Sequence, residues 1–338
     1  MCALMLISRE KNRFREIDDT KVSLGQFQTR GASWLAPQVV DFIRSKHPKT
    51  LFDPFAGEGS LLRAASEALQ LGVKGLDLDE STGWPANDSL RHIPSCPDAV
   101  IVTNPPYLAK HSAKRKRVHD AVADHYHHRA DLYQLALDRC IAACPFVVAI
   151  VPETIINSDY PKSCMESITI LESNPFNDTE CPVCVVCMNK QFHDPHSGPR
   201  IYVGERHLGR LSDLERKRLH PRKSIRIDFN VRGGRIALRA VDLPSPDKPI
   251  RFMRHGELDY PQERIKVSSR LVTFVEIPSL KDREINPVID RANSILGRFR
   301  AETGDILLSP FKGNTKNGTR RRRLDYYTAR AILEQACE

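Results

Sequence analysis

The chain of 338 residues lacks any long hydrophobic run. None of its apolar stretches approaches the roughly 20 residues that a membrane span needs, so no membrane partner is expected. The opening MCALMLISREKNRFR has a short apolar run with no basic residue ahead of it. That is not the pattern of a secretory signal. A disulfide framework is missing too, because the nine cysteines are odd in number and follow no framework spacing. They are expected to be reduced thiols in a cytoplasmic protein. Internal repeats and low-complexity tracts are absent apart from TRRRR (319–323).

What is present is an ordinary globular composition, 41% hydrophobic and 28% charged. The length suits about two domains. The formal net charge of +9 is unevenly spread. Residues 191–338 hold 30 Lys+Arg against 19 Asp+Glu, leaving 21 basic and 23 acidic residues for 1–190. All the excess positive charge therefore lies in the second half, which points to a polyanion partner for that half. A solvated basic surface is the plainer reading.

The first half alternates two kinds of segment. KTLFDPFAGEG (49–59) reads as a strand running into a glycine turn, and SLLRAASEALQLG (60–72) as a helix with Leu61, Leu62, Ala65, Leu69 and Leu71 on its apolar stripe. VKGLDLDE (73–80), DAVIVTNPPY (98–107) and PFVVAIVPE (145–153) read as further strands, and LYQLALDRCIAAC (132–144) as a helix. Such alternation predicts an α/β fold with a doubly wound, mostly parallel sheet, whose ligands sit at the carboxyl ends of the strands. The pattern breaks at CMNKQFHDPHSGPR (187–200), expected to be a linker. The expected domains are therefore 1–190 and 191–338. The second is smaller, basic and α+β, with strands in SIRIDFNV and RIALRAVDL.

Asp53 closes the first predicted strand, and Gly57 and Gly59 lie in the turn after it. Glycine permits positive φ and close backbone approach, and the helix behind it offers free N–H groups. The third glycine and the Lys-Ser/Thr of a phosphate loop are missing. A carboxylate at that turn repels a pyrophosphate and suits an ammonium. Asp77 follows 24 residues later, near the offset at which an acid reaches a ribose hydroxyl pair. Asp88 is a further acid ahead of the next strand. Together these describe a site for a nucleoside carrying an amino acid, the chemistry of S-adenosyl-L-methionine.

The strand of residues 98–103 ends on Asn104, Pro105, Pro106 and Tyr107. Two prolines stop the ladder and hold the backbone rigid while their carbonyls stay free to accept. Asn104 adds a side-chain acceptor. Two preset acceptors can bind the two N–H groups of a planar exocyclic amine and turn its lone pair toward a methyl donor. Tyr107 offers a flat face for the base. A proline turn with a chance asparagine is the plain alternative.

LFDPFAGEG, GLDLDE and TNPPY, in that order, resemble the cofactor and catalytic motifs of S-adenosyl-L-methionine-dependent amino-methyltransferases. GQFQT (25–29) ahead of them, ESNPFNDTECPVCVVCMNK (172–190) behind them and a basic module last narrow the likeness. That order is similar to the gamma group of adenine-specific (N6) DNA methyltransferases of type II restriction–modification systems. The likeness covers about residues 20–190. It implies that Thr29 holds the methionine carboxylate and Asp53 its ammonium, with Ala56 and Gly57 around it. It also implies that Asp77 binds the ribose and Asp88 the cofactor's adenine. Asn104 and the carbonyl of Pro105 would accept from the target amine, stiffened by Pro106, with Tyr107 and Phe176 on either side of the flipped base. Arg30 follows Thr29 where the family usually has proline. The implied partners are double-stranded DNA and a cognate restriction endonuclease acting on the same site, in the cytoplasm of a bacterium or from a phage. RNA base methylation on the same fold, and a catalytically silent DNA-binding protein, are the alternatives.

Two features are set aside. Cys181, Cys184 and Cys187 have cluster-like spacing, but Gln191 stands where a fourth cysteine would fall. His125, His127 and His128 have no partner pair at finger spacing. No metal is expected. KHSAKRKR (110–117) reads as a mobile cationic loop.

Overall fold

The computed structural model describes residues 26–27, 29, 31–116, 126, 129–176, 179–194, 196–245, 247–260, 271–311 and 320–338. His125, His127 and His128 lie outside the described residues, as does Arg30. The chain divides into two compact units after His207.

The first unit is built on a sheet whose strands are β1 (Thr50–Asp53), β2 (Gly72–Gly75), β3 (Ala99–Thr103), β4 (Phe146–Pro152), β5 (Met165–Ile170), β6 (Val183–Asn189) and β7 (Arg200–Val203), with β8 (Arg206–Arg210) beginning in this unit and running past its end. Their order is β2-β1-β3-β4-β6-β5-β7-β8. β1 pairs in parallel with β2 and β3, and β3 with β4. β6 runs antiparallel between β4 and β5. The sheet is thus the expected mostly parallel α/β one. Every residue of AVIVT in β3 is buried, as a central strand covered on both faces requires.

Four described helices belong to this unit: α1 (Pro37–Ser45), α2 (Ser60–Leu69), α3 (Lys110–Lys116) and α4 (Leu132–Ala143). α2 buries Leu61, Leu62 and Ala65, and it ends at Gln70 in the left-handed region, so Leu71 lies past it. The predicted loop at 110–117 is corrected: Lys110–Lys116 is helical. Ala113 is drawn into a small cluster with Leu108, Tyr126 and Leu132, and that burial holds the segment as a helix. The crossover at 76–98 carries one 3-10 turn, at Glu80–Thr82, and no α-helix.

Residues 187–189, expected in a linker, continue β6. Beyond them β7 joins the sheet beside β5, pairing Ser167 with Arg200 through Ile170 with Val203. The division into compact units falls after His207, beyond β7. Cys184 and Cys187 are buried in β6, and their spacing of three turns them to opposite faces.

The second unit has an antiparallel sheet, in the order β11-β10-β12-β9, of β9 (Asp228–Phe229), β10 (Ile236–Arg239), β11 (Arg251–Arg254) and β12 (Val272–Glu276). Among its helices are α5 (Leu211–Glu215), α6 (Asp282–Thr303) and α7 (Tyr326–Cys337), and a short pair β13 (Ser309–Pro310) and β14 (Arg322–Arg323) completes it. Leu238, Phe252 and Val275 form its core with Ala292, Leu296, Ile332 and Leu333. β11 is an edge strand, and Asn293 of α6 covers it: Phe252 N–H donates to Asn293 Oδ1 at 2.9 Å and Asn293 Nδ2 donates back to Phe252 O at 2.9 Å. A side-chain amide thus satisfies the backbone groups that a neighbouring strand would otherwise pair. No described helix is long and apolar enough to cross a membrane.

Candidate active site

β1 delivers Asp53 to its carboxyl end, where the side chain is 2% exposed. Its Oδ1 accepts from Thr103 Oγ1 at 2.6 Å and from Phe55 N–H at 2.9 Å. Burial pushes the carboxyl up to about 7. The Thr103 and Phe55 bonds pull it down and the nearby Asp77 charge pushes it further up. Thr103 is the last residue of β3, so the alternate strand sets the orientation of this acid.

The turn after Asp53 has Gly57 at φ +50° and Gly59 at φ +74°. A Cβ at Gly57 would meet nothing within 4 Å, so the turn opens onto free space there. Gly59 and Gly75 serve another purpose, which the sequence reading missed. Both lie under the ring of Trp84, and Trp84 Nε1 donates to Gly57 O at 3.1 Å. The indole braces the turn from below. A Cβ at Gly75 would stand 2.7 Å from the Trp84 ring and 2.9 Å from Ala56 Cβ. Gly75→Ala is therefore expected to destabilise the chain by about 1–3 kcal/mol, the range for overpacking, and to shift the tryptophan emission; unchanged melting and emission would show that Trp84 moves freely.

β2 stops at Gly75, and Asp77 lies two residues beyond it. Asp77 Oδ2 accepts from Gly57 N–H at 2.7 Å and Oδ1 from Asp79 N–H at 2.9 Å. The acid expected at a ribose thus also ties the glycine turn to the end of β2. A carboxylate has about four acceptor positions, so two bonds leave room for two hydroxyl donors. Asp88 Oδ1 accepts from Leu90 N–H at 3.2 Å, and its Oδ2 pairs with Arg91 at 3.0 Å on the surface.

The Asn-Pro-Pro-Tyr corner follows β3 directly, with Pro105, Pro106 and Tyr107 buried. Asn104 Nδ2 donates to Phe27 O at 2.7 Å. A carbonyl can only accept, so this bond fixes the amide with Oδ1 on the other side. Oδ1 faces the Tyr107 hydroxyl, which also lies 2.7 Å from Ile150 O. The hydroxyl has one hydrogen and so donates to one of the two at a time. Behind the corner, Leu108 N–H donates to Asp131 Oδ1 at 3.0 Å. Burial pushes Asp131 up to about 7, against bonds from the Tyr133, Leu108 and Leu132 amides.

Phe176 and Thr29 meet in an antiparallel bridge. The late motif and the N-terminal motif thereby close over the corner. The Tyr107 and Phe176 rings, expected on either side of a base, instead touch each other edge-on, 6.2 Å apart and inclined at 70°. Phe27 completes the triangle at 5.6 Å from Tyr107 and 6.1 Å from Phe176. A base between two faces needs them parallel and about 7 Å apart, twice the carbon–carbon contact distance. Thr29 is buried, and its Oγ1 has no hydrogen-bond partner among the described residues.

The structure thus gathers Thr29, Asn104, Tyr107 and Phe176 at one corner, and Asp53, Ala56, Gly57 and Asp77 at the adjoining turn. Sequence reasoning missed Trp84, Thr103, Asp131 and the role of Phe27. Asp131 carried a legible signal, an acid directly before an apolar helical run, the position of a helix cap. Among the described residues no group of three or more His, Cys, Asp or Glu is placed to hold a metal ion.

No family model matches the chain, and no curated relative does. Among solved structures it is similar to a type I restriction–modification methyltransferase subunit from Streptococcus thermophilus, at 20% identity and a TM-score of 0.38 over 49% of this chain and 45% of that one. It is similar to TrmN from Thermus thermophilus at 18% identity and a TM-score of 0.31, over 45% of this chain and 48% of that one. The M protein of the type I restriction enzyme EcoKI matches at 12% identity and a TM-score of 0.35, over 52% and 48%. The chain thus matches about half the length of each of these proteins. At such TM-scores function is read from the site itself.

Proposed function

We propose that the protein is an S-adenosyl-L-methionine-dependent methyltransferase. In this reading it methylates the N6 amine of an adenine flipped out of duplex DNA, protecting the DNA from a cognate restriction endonuclease. The observation that carries the reading is the amide of Asn104. It stands at a strand end with Oδ1 preset by the Phe27 carbonyl, next to a glycine turn bearing a buried acid.

The residues fit the cofactor. Thr29 Oγ1, buried without a partner among the described residues, suits the methionine carboxylate. Asp53 suits the ammonium, Ala56 and Gly57 leave open space for the chain between them, Asp77 keeps acceptors for the ribose, and Asp88 takes the adenine amine. When bound, the cofactor supplies an electrophilic methyl on a sulfonium. Asn104 Oδ1 and Pro105 O accept the two N–H groups of the target amine and direct its lone pair. Pro106 holds both acceptors in place before the substrate arrives. As the amine takes Oδ1, the Tyr107 hydroxyl keeps its bond to Ile150 O. The surplus proton leaves the amine after transfer, so no strong base is needed. Tyr107 and Phe176 turn parallel to hold the base, with Phe27 yielding its place. The first unit is the catalytic domain. The basic second one contacts phosphates and reads the target sequence.

Stacking is worth about 1–3 kcal/mol per aromatic partner. Tyr107→Ala is accordingly expected to slow methyl transfer by about 10- to 100-fold, and Tyr107→Phe by much less; equal rates for the two would remove stacking from the mechanism.

Cofactor affinity should follow the ionisation of Asp53. Its carboxyl is raised to about 7 by burial. Below that value it is protonated and offers the ammonium no charge. Affinity is expected to rise about tenfold per pH unit toward 7 and then level off. Asp53→Asn should bind weakly and without this slope; calorimetry from about pH 5.5 to 7.5 measures both.

The reading as a whole is tested with tritiated cofactor offered duplex DNA, single-stranded DNA or RNA, followed by nucleoside analysis. Label in N6-methyl-deoxyadenosine is expected. Label only in RNA or protein would overturn the choice of substrate.

A further inference from the structure

Two thiols outside this site lie on adjoining segments. Cys96 lies just ahead of β3, and Cys144 caps the end of α4. Cys96 Sγ lies 3.7 Å from Ala143 O, the carbonyl directly before Cys144. The backbone holds them there: Cys96 N–H donates to Ala143 O at 2.9 Å, next to Cys144. Cys144 Sγ lies 3.0 Å from Ala99 O and 3.3 Å from Phe146 O, and it is 1% exposed. Cys96 is half-buried and lines a cleft of about 630 Å3 walled by Phe52, Val73, Trp84 and Pro85. The cleft lies where the crossover at 76–98 carries no α-helix. Cys96 therefore lines an open cleft and Cys144 lies behind it.

We propose that Cys96 and Cys144 are a dithiol that hydrogen peroxide oxidises to a reversible disulfide, a modification site independent of the methyl-transfer reading. In the first step one sulfur attacks the peroxide. A sulfur–oxygen bond forms, the oxygen–oxygen bond breaks, and water leaves with the thiol's proton. In the second step the other thiol attacks that sulfur. The sulfur–sulfur bond forms, the sulfur–oxygen bond breaks, and a second water leaves. Two thiols and one peroxide thus give one disulfide and two waters. Cys96 lines the cleft and meets the peroxide first, and Cys144 behind it is the thiol that closes the link. Cys140, a turn earlier on α4, is fully buried, and burial raises its pKa, so it is the poorer partner. The cross-link would join the approaches to β3 and β4 and enclose the Asn-Pro-Pro-Tyr corner in one covalent loop.

The full chain, treated with hydrogen peroxide under native conditions, is alkylated and mapped by mass spectrometry before and after dithiothreitol. The expected result is a fall from nine alkylatable thiols to seven. A mass loss of about 2 Da and a linked pair of tryptic peptides, one with Cys96 and one with Cys144, should accompany it, all reversed by reductant. The link should persist in Cys140→Ser and vanish in Cys144→Ser. Oxidation of Cys96 to sulfinic acid without a link would overturn the proposal, as would a link that survives Cys144→Ser. The wild-type map decides it even if a variant fails to fold.

Discussion

Asn104→Ala is expected to cut the rate of methyl transfer by about 10²–10³ or more, the loss seen when one preorganised hydrogen-bonding group is removed from a reacting centre. Cofactor affinity should change by less than about threefold. The two effects separate because different elements make them. Asp53 is oriented by Thr103 and Phe55 and does not touch Asn104 through any bond of its own. Asn104 is oriented by Phe27 O on one side and meets Tyr107 on the other. Single-turnover transfer and cofactor titration on the same variant measure both. Equal loss of both would mean that Asn104 supports the cofactor site and not the acceptor amine.

Asp242→Ala is expected to cost the second unit roughly 3–5 kcal/mol, the range for breaking a buried ion pair. Asp242 is a hub. Its Oδ1 accepts from Ile250 N–H at 2.9 Å and its Oδ2 from Arg322 N–H at 3.0 Å. Arg300 binds both oxygens, at 2.9 and 3.0 Å, and reaches Asp305 at 2.8 and 2.9 Å. The side chains of Arg300 and Asp242 are 22% and 13% exposed, so water screens the pair little. Truncating Asp242 strands two buried amides as well as half of the guanidinium's bonds. Arg300→Met should cost less, because both amides keep their acceptor. Urea unfolding of the full chain compares the variants. An Arg300→Met loss as large as that of Asp242→Ala would show that the amides contribute nothing.

The parts of the fold that were legible are those coded within a few residues. The four apolar residues that open β3 leave no polar face, so they read as a strand covered on both sides. Asp53, Gly57 and Gly59 mark the turn after β1 because a left-handed backbone there needs glycine. KHSAKRKR was misread because its charges dominate its composition. The helix follows from Ala113, whose apolar neighbours Tyr126 and Leu132 come from further along the chain. The linker at 187–200 was misread for a similar reason. Its prolines, histidines and glycine hide the end of β6, and β7 is held by pairing with β5, which no local pattern announces.

The site divides in the same way. Residue types and order singled out Thr29, Asp53, Asp77, Asn104, Tyr107 and Phe176, because each chemistry needs a particular side chain at a particular strand end. Trp84 under the glycines, the Phe27 carbonyl on the Asn104 amide and the Asp242 hub were invisible. Their partners lie 27, 77 and up to 80 residues away. From sequence alone came the α/β alternation, the basic second half and the Asn-Pro-Pro-Tyr corner, since these depend on periodicity, charge and chemistry that neighbouring residues carry. The tertiary structure alone decided how the amide of Asn104 is turned, where the aromatic rings stand and which thiols lie on adjoining segments, since those depend on contacts between segments distant in the chain.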